Sequence, residues 1–259
     1  RPNRTRPGVP SNARTPIDLV IVRENTEGFY ADRNMVVGSG EFMPTEDMAL
    51  AVRKVTAAAS SRIARVAFEL ARERRRKVTA VHKANVLRLS DGLFLREVRK
   101  IAEAFPEVAL DEILVDAMAA LLVRDARHFD VIVTTNMFGD ILSDEAGELS
   151  GSLGLAGSLN AGDSHAFAQA QHGSAPDIAG RNIANPTSLI LSAAMLLAWL
   201  GRRHQEERLS RAAAAINQAV DATLADPALH TPDLGGGLGT DAFGAAVEEK
   251  LVALARAQV

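Results

Sequence analysis

The chain has 259 residues, of which 47% are hydrophobic and 24% charged, and its formal net charge is −3. This length is enough for two lobes, and the composition is ordinary for a globular protein. The absence of cysteine excludes disulfides, thiolate metal ligands and a cysteine nucleophile. The small net charge gives no reason to expect a nucleic-acid partner. We recognise no signal peptide, and the longest apolar run, residues 189–200, is too short to span a bilayer, which favours a cytoplasmic protein without a membrane partner.

Strands and helices alternate along the first part of the chain, which predicts an α/β fold. Residues 1–16 are rich in Arg and Pro and read as a loop, so we expect the chain to begin within a longer protein. The predicted strands cover residues 17–22, 77–81, 112–115 and 131–135. The predicted helices cover residues 44–74, 91–104, about 116–125, the segment that carries Asp140 and Asp144, 186–200, 205–224 and 241–257. Glycines that mark loops begin at Gly151, and we place a lobe boundary near Ser150.

Two carboxylates follow the most apolar of these strands, residues 131–135. Asp140 and Asp144 are four positions apart on the next helix and therefore share one of its faces. Neighbouring carboxylates repel each other unless a cation lies between them, and Mg²⁺ and Mn²⁺ prefer oxygen ligands of this kind. The alternative is a solvated start of a helix, where acids interact favourably with the helix dipole.

Further polar side chains follow the other predicted strands. Arg23 and Tyr30 come after the first strand, Lys83 after the second and Asp116 after the third. Ligands of open α/β sheets bind beyond the carboxyl ends of strands, so we expect these groups to meet in one cleft. Taken singly, Lys83 could be a surface lysine, Tyr30 a core residue with a bonded hydroxyl, and Asp116 a helix cap.

Together these groups suit the oxidation of a 2-hydroxy acid. A divalent ion on the Asp residues would chelate the hydroxyl and carboxylate of such a substrate and later stabilise an enolate. Arg23 would hold a carboxylate through two parallel hydrogen bonds. Lys83 would take the hydroxyl proton, and Tyr30 would return a proton to carbon.

A loop of small residues lies between His172 and Asn185. Such residues permit a phosphate or ribose to approach the backbone closely. Asp177 could accept hydrogen bonds from ribose hydroxyls and would repel a 2′-phosphate. The alternative is a structured Gly/Pro loop in which His172 has a capping role. The glycines of the chain are not spaced as in the Rossmann dinucleotide fingerprint, so a Rossmann domain is disfavoured.

Longer motifs cover nearly the whole chain: Arg23-Glu-Asn-Thr-Glu-Gly-Phe-Tyr30, His82-Lys-Ala-Asn-Val86, Val115-Asp-Ala117, Thr135-Asn-Met-Phe-Gly-Asp-Ile-Leu-Ser-Asp-Glu145, Gly151-Ser-Leu-Gly-Leu155, His172-Gly-Ser-Ala-Pro-Asp-Ile-Ala-Gly180, Ile183-Ala-Asn-Pro186 and Thr231-Pro-Asp-Leu-Gly-Gly236. In these motifs and their order the chain resembles the isocitrate/isopropylmalate dehydrogenase family, the metal-dependent decarboxylating dehydrogenases of 3-substituted malates.

The resemblance implies a two-lobed, non-Rossmann α/β fold. Residues 1–150 would be the central lobe for substrate, metal and dimerisation, and residues 151–259 the C-terminal part of the cofactor lobe. It implies a homodimer with shared active sites, in which Lys83 and Asp116 reach into the partner's cleft. The implied cofactors are NAD and Mg²⁺ or Mn²⁺. The implied reaction is hydride transfer from the 2-carbon, β-decarboxylation and protonation of the enol.

The resemblance also implies a role for each matching residue. The implied catalytic residues are Tyr30 and Lys83, and the implied metal ligands are Asp116, Asp140 and Asp144. Substrate binding falls to Arg1, the end of an Asn-Leu-Arg-Pro motif of the family, and to Arg23. Cofactor binding falls to Asn85 near the nicotinamide and to His172, Gly173, Ser174, Ala175, Asp177 and Asn185, with Asp177 indicating NAD rather than NADP.

The chain departs from the family pattern in two places. Family members extend further at the N-terminus, and that part supplies the first strands of the cofactor lobe and the segment that reads the substituent of the malate. Gln169-Ala-Gln171 stands where many members have Glu-Pro-Val, which removes one acid near the cofactor. The motif from Arg23 to Gly28 resembles the isocitrate, homoisocitrate and tartrate branches.

Two other functions are alternatives. A non-catalytic regulatory subunit of such a dehydrogenase usually lacks the lysine, the tyrosine or a metal-binding aspartate, and this chain retains all of them. A metal-dependent hydrolase of phosphates would not need the loop between His172 and Asn185. Oxidative decarboxylation is therefore the function that the sequence favours.

Overall fold

The computed structural model describes residues 1–30 and 34–256. The strands are β1 (Pro2–Arg4), β2 (Asp18–Arg23), β3 (Glu41–Thr45), β4 (Met48–Ala51), β5 (Lys77–His82), β6 (Ala109–Leu114), β7 (Val131–Thr134), β8 (Gly157–Ala161) and β9 (Ala166–Ala170). The α-helices are α1 (Ala57–Arg72), α2 (Ser90–Ala102), α3 (Val115–Asp125), α4 (Asn136–Ser150), α5 (Thr187–His204), α6 (Glu207–Leu224) and α7 (Thr240–Arg256). No helix in these two ranges has the length and apolar character needed to cross a membrane.

Two compact units make up the chain. The first, which we call the sheet unit, is Ile17–Ala146, and the second, the helical unit, combines Arg1–Pro16 with Gly147–Val259. The division falls within α4, close to the boundary predicted near Ser150. The prediction joined residues 1–16 to the first lobe, whereas in the structure they pack with the second, because Val9 contacts the helical core and Arg4 pairs with Asp221 of α6.

The sheet unit is built on four neighbouring parallel strands in the order β2-β7-β5-β6. All four residues of β7 are buried, as expected of a central strand of a parallel sheet that is covered on both faces. Apolar side chains of the strands pack against α1 and α2, where Phe68 stacks on Phe105 with ring centroids 5.5 Å apart. The predicted α/β class is confirmed, and each predicted strand of this unit agrees with an observed one to within a few residues.

The predicted helix over residues 44–74 is wrong in its first half. Residues 41–51 form the antiparallel hairpin of β3 and β4, and α1 begins only at Ala57. The Oγ1 of Thr56 accepts a hydrogen bond from the amide of Ala59 at 3.2 Å, which fixes the start of the helix. The apolar spacing that runs from Met48 into α1 is accidental, because it spans this cap.

The helical unit packs α5, α6 and α7 around an apolar core that includes Leu191, Val220 and Phe243. The predicted helices of this unit are confirmed. The sequence analysis assigned the glycine-rich segment after Ser150 to loops, but β8 and β9 form a hairpin there. Its strands are poor in β-branched residues, and it is held on α5 by Ser192, whose Oγ accepts from Ser158 N at 2.9 Å and donates to Gln169 O at 2.7 Å.

Candidate active site

Chemically reactive side chains follow the carboxyl ends of the parallel strands of the sheet unit. Arg23 is the last residue of β2, and Lys83 follows β5 directly. Asp116 lies in the first turn of α3, which begins where β6 ends, and α4 begins two residues after β7. Parallel strands bring their carboxyl ends to one edge of a sheet, so the predicted arrangement of these residues is the one that the topology produces.

Arg23, Tyr30 and Asp140 form one cluster. The guanidinium of Arg23 pairs with Oδ1 of Asp140, and the hydroxyl of Tyr30 donates to Oδ2 of the same carboxylate at 2.8 Å. The Arg23 guanidinium also lies 5.3 Å from the centroid of the Tyr30 ring. Tyr30 is therefore half-buried and not part of the core, its hydroxyl is bonded to Asp140, and both oxygens of Asp140 are directed at groups that the sequence predicts to act on the substrate.

The environment of the Tyr30 phenol favours its protonated form. Burial raises the pKa of Tyr30, and its hydrogen bond to the Asp140 carboxylate adds to that effect, while the charge of Arg23 opposes it. A phenol that keeps its proton at neutral pH is suited to donate one during a reaction.

Two residues that the sequence analysis did not assign to the site fix the position of Arg23. Asn136 accepts from Arg23 Nε through Oδ1 at 2.8 Å and donates through Nδ2 to the carbonyl of Glu27 at 2.7 Å. Gly139 leaves room for the Arg23 stem, since a Cβ there would lie 2.7 Å from Arg23 Cβ and Cγ. Both residues belong to the motif that contains Asp140, so the sequence did point to this segment. Only the contacts in the structure show that Asn136 and Gly139 position Arg23, whereas Asp140 is the predicted metal ligand.

The acidic residues of the motif after β2 have structural roles. Glu24 is buried and accepts hydrogen bonds from the amides of Thr26 and Glu27, so it shapes its own loop. Glu27 is buried and accepts from both the amide and the hydroxyl of Thr56, the cap of α1. This part of the motif thus ties the loop that carries Tyr30 to the start of α1.

Lys83 and Asp116 form an ion pair with Nζ and Oδ1 2.5 Å apart. The Asp116 side chain is 64% exposed and that of Lys83 27% exposed, so the pair lies at the surface of the chain. The hydrogen bond from Lys83 lowers the pKa of the Asp116 carboxyl. Asp116 is the acidic residue in the first turn of α3, a position in which the helix dipole also favours a carboxylate. Asn85, two residues beyond Lys83, is exposed in the same loop.

In the helical unit, the loop after β9 carries the other predicted residues. His172, Gly173, Ser174, Ala175 and Asp177 are all exposed. His172 Nδ1 lies 2.9 Å from the carbonyl of Gly173, and Ala175 has a left-handed backbone with φ of 42°. The loop therefore presents backbone groups and the Asp177 carboxylate to solvent.

Asn185, at the end of this loop, is buried, and both the oxygen and the nitrogen of its side chain form hydrogen bonds. Its Oδ1 accepts from the amide of Thr187 at the start of α5, and its Nδ2 donates to Asp233 Oδ2 at 3.1 Å. Asp233 also accepts from Ser152 and Thr231, so it joins three segments of the helical unit. Asp233 belongs to the motif Thr231-Pro-Asp-Leu-Gly-Gly236, but no role was predicted for it. Arg1 is half-buried next to β1, and its carbonyl accepts from Asn3.

One cavity of the sheet unit lies apart from these residues. Its volume is about 470 Å³, and its lining comes from β5, β6, α3 and the turn after α3, including Lys77, Arg124 and His128. None of the predicted site residues lines it. The predicted site residues thus lie at the strand ends and outside this cavity.

The chain matches known proteins over nearly its whole length. Residues 2–247 match the model of the family described as isocitrate/isopropylmalate dehydrogenase. The chain belongs to this family. It is 48% identical over 255 residues to the isocitrate/homoisocitrate dehydrogenase of Thermus thermophilus and 46% identical over 252 residues to the 3-isopropylmalate dehydrogenase of Methanothermobacter thermautotrophicus. These alignments cover 98% and 97% of the chain and 71% of each relative.

A solved structure of the isocitrate dehydrogenase from Methylococcus capsulatus shares the fold with a TM-score of 0.87 and 41% sequence identity. The match covers 96% of this chain and 71% of that one. The family that the motifs resemble and the non-Rossmann α/β fold expected from them are thus confirmed.

The donor set of the sheet unit suits the divalent ion that this family implies. Asp140 and Asp144 are partly exposed and lie one turn apart on α4, and hard cations prefer such carboxylate oxygens. Arg23 places a positive charge next to Asp140. Within the described residues of a single chain, no group of three His, Asp or Glu side chains could hold a metal ion.

Proposed function

We propose that this family member is an NAD- and Mg²⁺- or Mn²⁺-dependent enzyme that oxidises and decarboxylates a 3-substituted malate. The observation that carries the proposal is the cluster of Arg23, Tyr30 and Asp140, which lies at the same sheet edge as Lys83. A substrate-binding cation, a protonated phenol, a metal-binding carboxylate and an amine are the groups that this reaction requires.

Each of these side chains has one task in the reaction. Arg23 binds a carboxylate of the malate with its guanidinium, a geometry that Asn136 holds in place. Lys83 is the proposed base, which takes the proton of the 2-hydroxyl while the C–H bond at the same carbon breaks. After the β-carboxylate leaves as CO₂, the Tyr30 hydroxyl donates a proton to the carbon that carried it. NAD, when bound, supplies the acceptor for the hydride.

Asp140 and Asp144 would hold the divalent ion together with Asp116 of the partner subunit. When bound, the ion supplies Lewis-acid stabilisation of the negative charge that develops on the substrate oxygens. Asp140 Oδ1, which pairs with Arg23 in the structure, would be one of the oxygens that hold the ion, and the guanidinium of Arg23 would bind the substrate carboxylate. Lys83 would likewise serve the cleft of the partner, so each site would draw on two protomers.

The exposed hairpin of β3 and β4 supports the homodimer. Phe42, Met43, Met48 and Leu50 are between 46% and 62% exposed, although all four are apolar. Monomeric proteins rarely leave such side chains together in solvent, whereas subunit interfaces use them. The hairpin lies between the loop of Tyr30 and α1 in the chain, in the unit that carries the metal-binding residues.

NAD binding is proposed for the exposed loop from His172 to Asn185. Backbone groups of Gly173, Ser174 and Ala175 are open to a phosphate or ribose, and the Asp177 carboxylate is free to accept from ribose hydroxyls. Asn185 keeps one N–H and one lone pair beyond its bonds to Asp233 and Thr187. Asn85 is the proposed contact to the nicotinamide, and Arg1 a second cation for a substrate carboxylate.

A panel of malates tests the proposal. We expect the purified full-length protein to reduce NAD⁺ and release CO₂ with at least one of isocitrate, homoisocitrate, isopropylmalate and tartrate, and EDTA to abolish the reaction until Mg²⁺ or Mn²⁺ is restored. Full activity in EDTA would show that the reaction does not require a divalent metal ion. Absence of turnover on every substrate would instead support the regulatory alternative, against which the retention of Tyr30, Lys83 and the three aspartates argues.

A further inference from the structure

The buried ion pair of Arg53 and Asp91 lies outside the cluster of predicted catalytic residues. Arg53 Nη1 lies 2.5 Å from Asp91 Oδ1. The Arg53 side chain is 8% exposed and the Asp91 side chain is fully buried. Burying two charges costs desolvation free energy, so a buried ion pair contributes little net stability. The other contacts of Arg53 and Asp91 indicate a second role for the pair.

Asp91 uses its second oxygen to hold the main chain of Lys83. The amide of Lys83 donates to Asp91 Oδ2 at 2.5 Å. On the other side, the Lys83 carbonyl accepts from the amides of Val86 and Leu87 at 3.0 and 2.8 Å. Both the N–H and the C=O of Lys83 are thus fixed, and only its side chain is left to move.

Arg53 contacts the two other strand-end loops of the proposed site. Its guanidinium lies 5.6 Å from the ring centroids of both Phe29 and Phe138, the neighbours of Tyr30 and Gly139 in the chain. Its Nη2 donates to Thr135 Oγ1 at 3.1 Å, at the carboxyl end of β7. Its Nη1 donates to Ser90 Oγ at 2.8 Å. The planar guanidinium can make all of these contacts at once, which an ammonium group cannot.

We propose that Arg53 and Asp91 are positioning residues, which hold the backbone of Lys83 and the loops of Tyr30 and Asp140 in fixed orientations on the sheet, so that Lys83 can reach the partner's cleft while Tyr30 and Asp140 line their own. The inference rests on the proposed function, in which Lys83 acts in the partner's cleft and Tyr30 and Asp140 act in the cleft of their own chain. Arg53 itself is enclosed by two phenyl rings and does not reach a substrate. Its effect on the reaction passes through the placement of the amine, the phenol and the carboxylate.

Arg53→Lys tests this inference, and Arg74→Lys is its matched control. Arg74 also pairs with a buried aspartate, Asp130, at 2.7 Å, but before the start of β7 and thus at the opposite edge of the same sheet. We expect Arg53→Lys to lower kcat about tenfold to a hundredfold, as a displacement of about 1 Å does, with a KM for the malate within threefold of wild type. Arg74→Lys should lower the melting temperature but keep kcat within twofold.

Two readouts separate positioning from a loss of folding. With a malate deuterated at the 2-carbon, the isotope effect on kcat should rise in Arg53→Lys, because a displaced base makes bond breaking limiting, and it should be unchanged in Arg74→Lys. Hydrogen exchange at the Lys83 amide should accelerate at least tenfold in Arg53→Lys alone. If Arg53→Lys does not fold, Asp91→Asn, which keeps the shape and one acceptor oxygen, replaces it with the same expectations.

The outcomes distinguish this inference from the proposed function. Wild-type protein that turns over no malate contradicts the proposed function, and amide exchange at Lys83 then decides the positioning role of the pair by itself. Equal losses of kcat in Arg53→Lys and Arg74→Lys, or a Lys83 amide that remains protected in Arg53→Lys, would overturn the inference.

Discussion

The strand-end residues of the sheet unit and the loop from His172 to Asn185 in the helical unit are built in opposite ways. Arg23 and Tyr30 both contact the carboxylate of Asp140, and Asn136 holds the Arg23 guanidinium in place. In the loop, the residues from His172 to Asp177 are exposed, and the main anchoring contacts lie at Asn185. The comparison indicates that the residues proposed to perform chemistry are held in place by contacts within the chain. Most residues proposed to bind the cofactor are instead exposed to solvent and have few such contacts.

The first prediction tests the strand-end cluster and has the largest expected effect. Lys83→Met removes the proposed base, and general-base catalysis contributes about 10²- to 10⁴-fold, so kcat for NADH formation should fall by that factor. Mn²⁺ binding should be largely retained. Lys77→Met, at the other end of β5 and paired with Asp111 at 2.7 Å, should keep kcat near the wild-type value. Normal turnover by Lys83→Met would refute the assignment of the base.

The second prediction tests the exposed loop. Asp177→Ser removes the carboxylate proposed to accept from ribose hydroxyls, and a hydrogen bond to a charged group contributes about 1.5–3 kcal/mol. The KM for NAD⁺ should therefore rise about tenfold to a hundredfold, while use of NADP⁺ should improve and kcat should change little. Asp163→Ser, an exposed aspartate in the turn between β8 and β9, is the control. An unchanged preference between the two dinucleotides would exclude Asp177 from the ribose site.

The third prediction concerns pH and has the smallest expected effect. Burial lowers the pKa of the His82 imidazole, and His82 Nδ1 accepts from the amide of Ala84 at 3.1 Å. Below about pH 6.5 the unfolded chain therefore binds more protons at this residue than the folded chain, and stability falls as the pH drops through the folded pKa.

His82→Asn keeps an acceptor near the position of Nδ1 but does not titrate. Its melting temperature should fall less than that of the wild type between pH 7.5 and 5.5, whereas His128→Asn, at an exposed histidine of the same unit, should follow the wild type. Equal slopes for His82→Asn and the wild type would show that the ring of His82 does not contribute to acid sensitivity.

The same contrast explains which features the sequence could predict. Apolar strands followed by polar residues predicted the parallel sheet and placed Arg23, Lys83 and Asp140 at its edge, because parallel topology fixes where strand ends lie. The hairpin of β3 and β4 was not predicted, since its apolar residues face solvent and their spacing continues the pattern of α1. The spacing of apolar residues predicts a strand or helix that buries one face, and it does not reveal a strand whose residues are all exposed in the single chain.

The positioning residues could not be predicted for a different reason. Asn136, Arg53 and Asp91 are distant in sequence from the side chains that they hold, and their roles depend on contacts between loops. Asn185 was assigned to the cofactor from its motif, yet its amide also ties Asp233 to the start of α5. Residue type and spacing identify a group that can do chemistry, but they do not show what the group is bonded to.

The most direct test of the account is whether a divalent ion binds next to Tyr30. Tyr30 is the only tyrosine of the chain, so a ¹³C-labelled tyrosine gives a single NMR signal, and paramagnetic Mn²⁺ broadens signals close to it. We expect stoichiometric Mn²⁺ to broaden this signal in the wild type, diamagnetic Mg²⁺ to leave it sharp, and Asp144→Asn to need at least tenfold more Mn²⁺. A tyrosine signal that stays sharp in saturating Mn²⁺, or the same titration in Asp144→Asn, would contradict a metal site on α4.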